Sequence, residues 1–245
     1  MPDPLRVSVV LPVRDDAPAL RRCLEALATL TDGADEIVVV DNGSCDGTAD
    51  VARAAGARLV VEPVRGIASA AAAGYDAATG DVLVRLDSDA VPPVDWIARI
   101  RDAFAADPEL AGLTGPGVFT DLPGPARLLA GLGYHGAYFG LIGSMLGRVP
   151  LYGSNLAIRR TAWLAARNGF HRHDPMVHDD LCLTVHLGDR RLRFDPRIGV
   201  AVSARAVTPR RLGTAARKTR HTVRVHASAF RSTAAGRLLG PLLGG

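Results

Sequence analysis

Apolar residues recur with two different periods along the first part of this 245-residue chain. Val7–Val13, 36–40, Arg58–Val61 and 81–86 are short runs rich in β-branched residues. The first two are almost continuously apolar, as strands covered on both faces should be. Between them, Leu20, Cys23, Leu24 and Leu27 fall at the i, i+3, i+4, i+7 spacing of an amphipathic helix whose first turn holds Pro18. Residues 48–55 and 68–78 are Ala-rich helix candidates, and 94–106 is another. This alternation predicts right-handed crossovers and an α/β fold, with a mainly parallel central sheet and helices on both faces.

Beyond Pro108 the pattern loosens. Leu110–Thr114 reads as a strand, whereas 115–125, with three Gly and three Pro, reads as irregular. A strand is expected over 152–158, a short helix over 161–167, a helix over 179–187 and a strand over 192–203. The stretch 128–147 is uncharged and close to the roughly 20 residues a bilayer needs, yet it contains six Gly and, near its middle, His135. The apolar run between Arg6 and Arg14 is too short for a signal-peptide core and lacks a small-residue cleavage site, so a buried strand is expected. Near the C-terminus, Leu212, Ala216, Thr219, Val223, Ala227 and Phe230 recur at helical spacing, with Arg210, Arg217, Arg220, Arg224 and Arg231 on the other side. A basic amphipathic helix is expected there, followed by a Gly/Leu tail.

At 48% hydrophobic and 22% charged residues the chain is no disordered polymer, and with 5% aromatics its core must be mostly Ala, Val and Leu. Its charge is divided: residues 196–245 hold ten basic side chains and no acid, residues 1–195 hold 19 basic against 25 acidic. The basic helix thus suits an anionic membrane surface, or it packs on the domain with solvated arginines. Nucleic acid is disfavoured, because the tail has one aromatic, Phe230, and no recognisable binding module. Cys23, Cys45 and Cys182 form no CxxC, which indicates neither a disulfide framework nor a zinc site and fits a cytoplasmic protein.

In open parallel sheets ligands bind beyond the carboxyl ends of the strands. Asp41 and Asp87 each directly follow a predicted strand, and Pro12-Val13-Arg14-Asp15-Asp16 lies on the same rim. In Asp87-Ser88-Asp89, two carboxylates one residue apart can serve a hard cation and a polar ligand group together; Mg²⁺ or Mn²⁺ takes one or two protein carboxylates and completes its shell with water and phosphate oxygens. The Asp41–Thr48 loop could accept bonds from a base or ribose, although an ordinary βα turn uses the same residue types. His178-Asp179-Asp180 opens a helix, where carboxylates are stabilised and can act as a base. His171, His173 and Asp174 nearby allow a metal site, but no HxxxH or HxxE spacing supports zinc. Gly131-Leu132-Gly133-Tyr134-His135-Gly136 matches GxGxxG without a preceding strand or a following acid, so it is no dinucleotide loop.

Taken in order, these segments resemble the inverting glycosyltransferases of family 2, which have the GT-A, Rossmann-like fold. Residues 7–15 resemble the family's opening strand, and 36–48 its EIVVVDDGSxDGT segment with Asn42 for the second Asp. Residues 66–74 and 80–92 are similar to its G-x₃-ARN-x-G and GD-x-(I/L)-x-x-LDxD segments, 153–160 to its GxNxxxRR strand and 179–183 to its ED-x-D-L run.

The resemblance implies a nucleoside diphosphate sugar donor, with Pro12, Val13 and Asp41 at the base, Asp87 and Ser88 at the ribose turn and Asp89 on Mg²⁺ or Mn²⁺. It makes Asp180 the general base, with Asp179 as the fallback, for transfer with inversion to a hydroxyl or phosphate of a lipid phosphate, glycan or small metabolite. Ala71-Ala72 replace the family's Arg-Asn, and Arg65 is the expected substitute cation. Processive members carry QxxRW, which a chain without Gln cannot contain, so one-step transfer is expected. A GT-A domain over 1–204 is expected, with a nucleotide half (1–108) and an acceptor and base half (109–204), followed by the basic helix and tail over 205–245. The expected place is the cytoplasm, or the inner face of the membrane in cell-envelope synthesis. Because Asp89 and Asp180 flank 128–147, that stretch cannot cross a bilayer once; it belongs beside the acceptor cleft or at the membrane interface. The rival functions are a non-catalytic sugar-nucleotide-binding scaffold and, less favoured, a nucleotidyltransferase, whose Gly-rich basic loop is missing after the first strand.

Overall fold

A computed structural model describes residues 4–239 apart from residue 236; the end of the Gly/Leu tail, 240–245, lies outside the described residues. The first part alternates as the pattern predicts: β1 (Val7–Val13), α1 (Ala17–Ala28), β2 (Glu36–Asp41), α2 (Thr48–Ala54), β3 (Arg58–Val61), α3 (Ile67–Ala77), β4 (Val82–Leu86) and α4 (Trp96–Ala106). The four strands pair in parallel in the order β3-β2-β1-β4. Every residue of β1 is buried because both faces are covered. Val9 and Leu11 pack with α1 and α4, while Val10, Val38 and Val40 pack with the Ala-rich α3. Gly74 lets α3 approach the sheet: a Cβ there would lie 2.2 Å from Val10 Cγ1. Ala71 and Ala72 are fully buried in this same contact, so they fill core and present nothing to a ligand.

The sheet continues through β7 (Asn155–Arg159), antiparallel to both neighbours, to β5 (Leu110–Thr114) and β8 (Arg191–Phe194). Two expectations are corrected beyond it. The irregular 115–125 contains β6 (Gly117–Phe119), and the single strand expected over 192–203 is two. Pro196 has no N–H for a ladder, and Asp195 turns the chain there by accepting from Arg197 N at 2.9 Å. The chain re-emerges as β9 (Val200–Val202), which pairs with β6 in a separate two-stranded sheet.

Residues 128–146 are helical, within α5 (Gly124–His135), a π-helical segment (Gly136–Ile142) and α6 (Gly143–Leu146), and Gly147 caps them in the left-handed region. Among the described residues no helix is long and apolar enough to cross a membrane. The GxGxxG lies inside this helix, which excludes a dinucleotide loop. His135 belongs to the packing: its Nε2 accepts from Gly117 N at 3.2 Å, its ring stacks on Phe119, and burial pushes its pKa down to about 4. After α7 (Arg160–Ala166) and α8 (Asp179–His186) come α9 (Pro209–Val225) and α10 (Ala227–Phe230). The basic helix α9 is docked on the domain. His178 N donates to Thr222 Oγ1 at 2.7 Å, His221 Nε2 lies 2.7 Å from Asp174 Oδ2, and Val223 and Phe230 are buried with Ile142, Met145 and Leu181.

Candidate active site

The loops after β1 and β2 meet on one rim, because the register places Val13 opposite Asp41. Asp15 adopts φ +51°, which Asp tolerates better than most residues, and so ties the loops together: its carboxylate accepts from Cys45 N at 2.7 Å and its N–H donates to Ser44 Oγ at 3.0 Å. The buried Asp41 accepts from Ser44 N at 2.8 Å. Asn42 explains its own departure from the family pattern. Its Nδ2 donates to Glu62 O (2.9 Å) and Val64 O (2.8 Å), while its Oδ1 accepts from Gly66 N (2.8 Å). A carboxylate has no hydrogen to give those carbonyls. Pro12, Val13, Asn42, Gly66 and Ile67 line a cavity of about 200 Å³. Arg65 is exposed beside Gly43.

The main cavity, of about 810 Å³, lies where β4 and the loop before β7 meet the start of α8. Its floor is Arg85, the one charged side chain of β4, 3% exposed. Arg85 donates to Asp179 Oδ2 and, at 3.2 Å, to Asp87 Oδ1. Burial opposes its charge, but Asp179 and Asp87 outweigh burial and hold the guanidinium well above its ordinary pKa. Asp87 Oδ2 also accepts from Ser154 Oγ at 2.5 Å. Asp180 accepts three bonds: from Gly153 N at 2.7 Å, from Leu181 N at 2.7 Å, and from His178 Nδ1 at 2.6 Å. Burial pushes its pKa up, yet His178, Arg85 and Gly153 overcome this and bring it down to about 2. The same pairing raises the pKa of His178 against the effect of burial. A side chain at Gly153 would crowd the site, since a Cβ would lie 3.1 Å from both Asp180 Oδ2 and the Arg85 guanidinium.

The opposite wall is cationic and comes from the C-terminal segment: Arg205, Arg210, Arg211 and Lys218. Arg65 is not among the residues lining this cavity, whose cations are Arg85, Arg205 and those of α9. Arg205 donates to Asp89 Oδ2 at 2.7 Å and to Asp16 Oδ2 at 2.9 Å. Asp89 and Asp16 therefore already present oxygens to one cation. Carboxylate oxygens are the donor type Mg²⁺ and Mn²⁺ take, so the residues fit a hard divalent ion in competition with Arg205. Arg205→Ala should tighten Mn²⁺ binding by roughly two- to fivefold, the worth of a partly exposed ion pair; isothermal titration checks this, and weaker binding would remove the competition. Ser88, half-buried, completes the turn between Asp87 and Asp89. Next to the cavity, and sharing Tyr134, His178 and Ala215 with it, runs an apolar groove of about 480 Å³ between the helix over 124–146 and α9, lined by Ala137, Leu141, Ile142 and Leu212.

Sequence patterning alone missed Arg85 and the α9 cations. A lone Arg within Val82-Leu83-Val84-Arg85-Leu86 was the available signal for the first. Nothing local marks the second, since it depends on where α9 docks.

Residues 8–162 match the model of the family described as Glycosyl transferase family 2. Among curated proteins, the chain is 36% identical over 117 residues to the undecaprenyl-phosphate 4-deoxy-4-formamido-L-arabinose transferase of Sodalis glossinidius, covering 44% of this chain and 36% of that one. It is 36% identical over 104 residues to the glucosyl-3-phosphoglycerate synthase of Mycobacterium tuberculosis, covering 37% and 32%. The matched part thus spans about a third of these relatives' length. Among solved structures, a mannosyltransferase of Pyrobaculum calidifontis in complex with GDP-Man and Mn²⁺ superposes with a TM-score of 0.67 at 24% identity, covering 99% of this chain and 70% of that one. The M. tuberculosis synthase with Mn²⁺, UDP-glucose and phosphoglyceric acid gives 0.65 at 22%, covering 92% and 80%. The fold is therefore that of GT-A enzymes. With the family's model matching more than half of the chain, the chain belongs to glycosyl transferase family 2.

Proposed function

We propose that this protein transfers one hexosyl group, with inversion, from a nucleoside diphosphate sugar to a phosphate-bearing lipid. The observation that carries this reading is the cavity itself: acids and Arg85 on one side, Arg210, Arg211 and Lys218 on the other, opening into an apolar groove. Pro12, Val13 and Asp41 hold the base, Asp87 and Ser88 the ribose turn, and Asp89 the Mg²⁺ or Mn²⁺. When bound, that ion neutralises charge gathering on the departing diphosphate. Asp180 favours an anionic nucleophile. With a pKa of about 2 and both oxygens engaged, it is a weak acceptor for a hydroxyl proton, whereas a phosphate oxygen arrives ionised. The nucleophilic oxygen bonds to the anomeric carbon as the carbon–oxygen bond to the diphosphate breaks, and that electron pair leaves with the nucleotide. Asp179 keeps Arg85 in place beneath the site.

The exposed Leu128, Leu129 and Leu132 on α5 support work at the inner face of a membrane, as in cell-envelope synthesis. The assay pairs UDP-, GDP- and dTDP-hexoses, with Mn²⁺ or Mg²⁺, with a polyprenyl phosphate, the matching polyprenol and 3-phosphoglycerate. Transfer is expected to the polyprenyl phosphate alone. Transfer only to 3-phosphoglycerate or the polyprenol overturns the acceptor class, and donor binding without hydrolysis or transfer establishes the scaffold reading instead.

A further inference from the structure

Around α8, among residues that do not line the cavity, three histidines and a cysteine converge from three separate segments. His171 lies in the loop before α8. Cys182 and His186 are one turn apart on α8, the i, i+4 spacing that puts two side chains on one face. His226 sits at the junction of α9 and α10. The ring centroids are 5.4 Å apart for His171 and His186, 4.9 Å for His171 and His226, and 5.1 Å for His186 and His226. Cys182 Sγ lies 3.4 Å from His171 Nδ1. One donor atom from each of the four side chains falls within 4.8 Å of all the others.

Two of the imidazoles are unsatisfied. Among the described residues, Nε2 of His186 and Nε2 of His226 are buried without a hydrogen-bond partner, and His226 is only 6% exposed. Buried polar atoms are rarely left so, and two in one cluster point to a shared ligand. Gly169 lets the His186 ring pack into the cluster, because a Cβ there would lie 2.5 Å from His186 Nδ1.

We propose that His171, Cys182, His186 and His226 bind a structural Zn²⁺. Three imidazole nitrogens and a thiolate are a borderline-soft set that suits Zn²⁺ and not the oxygen-seeking Mg²⁺ or Mn²⁺ of the donor site. In a tetrahedral site with bonds of 2.0–2.3 Å the donor atoms stand about 3.3–3.8 Å apart, so closing the cluster needs small side-chain movements. Binding releases the Cys182 thiol proton to solvent, and the three imidazoles bind neutral. Four protein ligands leave no open position, which makes the ion a fastener. It fastens α9 and α10 to α8, and so fixes the cationic wall against the helix that bears Asp179 and Asp180. The inference does not depend on which acceptor the cavity takes.

Metal analysis of the full chain, purified without a histidine tag and dialysed, is expected to give about one zinc per chain. Co²⁺ in its place should give the strong visible bands of a tetrahedral site, with a thiolate charge-transfer band that Cys182→Ser abolishes. His226→Ala and His171→Ala should each lose the zinc, His226→Cys should keep it, and Asp89→Ala should keep it, which separates this ion from the donor-site metal. A strong chelator should lower the melting temperature of the wild type and leave that of His226→Ala unchanged, with circular dichroism confirming that each variant folds. Zinc-free wild type that takes up none on incubation, or stoichiometric zinc in the folded His226→Ala and His171→Ala proteins, would overturn the proposal in favour of a metal-free histidine cluster.

Discussion

Asp180→Asn should lose glycosyl transfer by roughly 10- to 100-fold, the worth of one charge-assisted hydrogen bond in a positioning network, while the nucleotide sugar still binds. The carboxylate accepts from Gly153 N, Leu181 N and His178 Nδ1, and an Asn amide must turn its own donor toward one of them. The substitution also removes the charge that raises the pKa of His178. Donor binding survives because Asp41, Asp87 and Asp89 lie on other elements. Radiolabelled transfer and donor titration measure the two halves; wild-type turnover would take Asp180 out of the machinery.

The pH profile then separates a base from a positioning residue. A folded pKa of about 2 lies below the unfolded value near 3.9, so the stability Asp180 contributes is present above about pH 3.9 and is lost as pH falls through about 2. The pKa of His178 is raised, so its contribution is present below about 6.5 and is lost as pH rises through the folded value. The Asp180 carboxylate stays ionised between pH 4 and 8. An acid limb near pH 6 in the transfer rate would report the second ionisation of the acceptor phosphate.

Reversing charge on the α9 wall should have the second large effect. Arg210→Glu or Arg211→Glu should raise the acceptor KM by roughly 10- to 100-fold, the worth of losing one charge-assisted bond to a phosphate. The donor KM should stay within about threefold, since neither arginine lines the small cavity of Pro12 and Val13. The effect should shrink in high salt. A change confined to the donor KM would make the wall part of the diphosphate site.

Legibility in the sequence follows the range of the interactions. The period-2 and period-3.6 runs up to Ala106 are local, and β1 to β4 and α1 to α4 form where they indicate. Asp87 and Asp89 were visible because a strand end is itself a local feature. Asn42 and Ala71-Ala72, which looked like losses from the pocket, are a loop clamp and a packing surface; each role depends on partners more than twenty residues away or on the opposite face of the sheet. Pro196 was a legible breaker that the apolar run over 192–203 concealed.

The sequence by itself determined the α/β class, the strand-end acids and the family, because strand and helix periods and short ordered motifs are written in neighbouring residues. Only the tertiary structure decided where the basic tail sits. Its arginines look like a solvated or membrane-facing surface until Thr222, Val223 and Phe230 seat α9 against α8 and the loop before it, which turns Arg210, Arg211 and Lys218 into the cavity. The same docking brings His226 to Cys182 and His186. Charge along a helix is read from the chain, but the face it presents to a site is set by long-range burial, which no local pattern records.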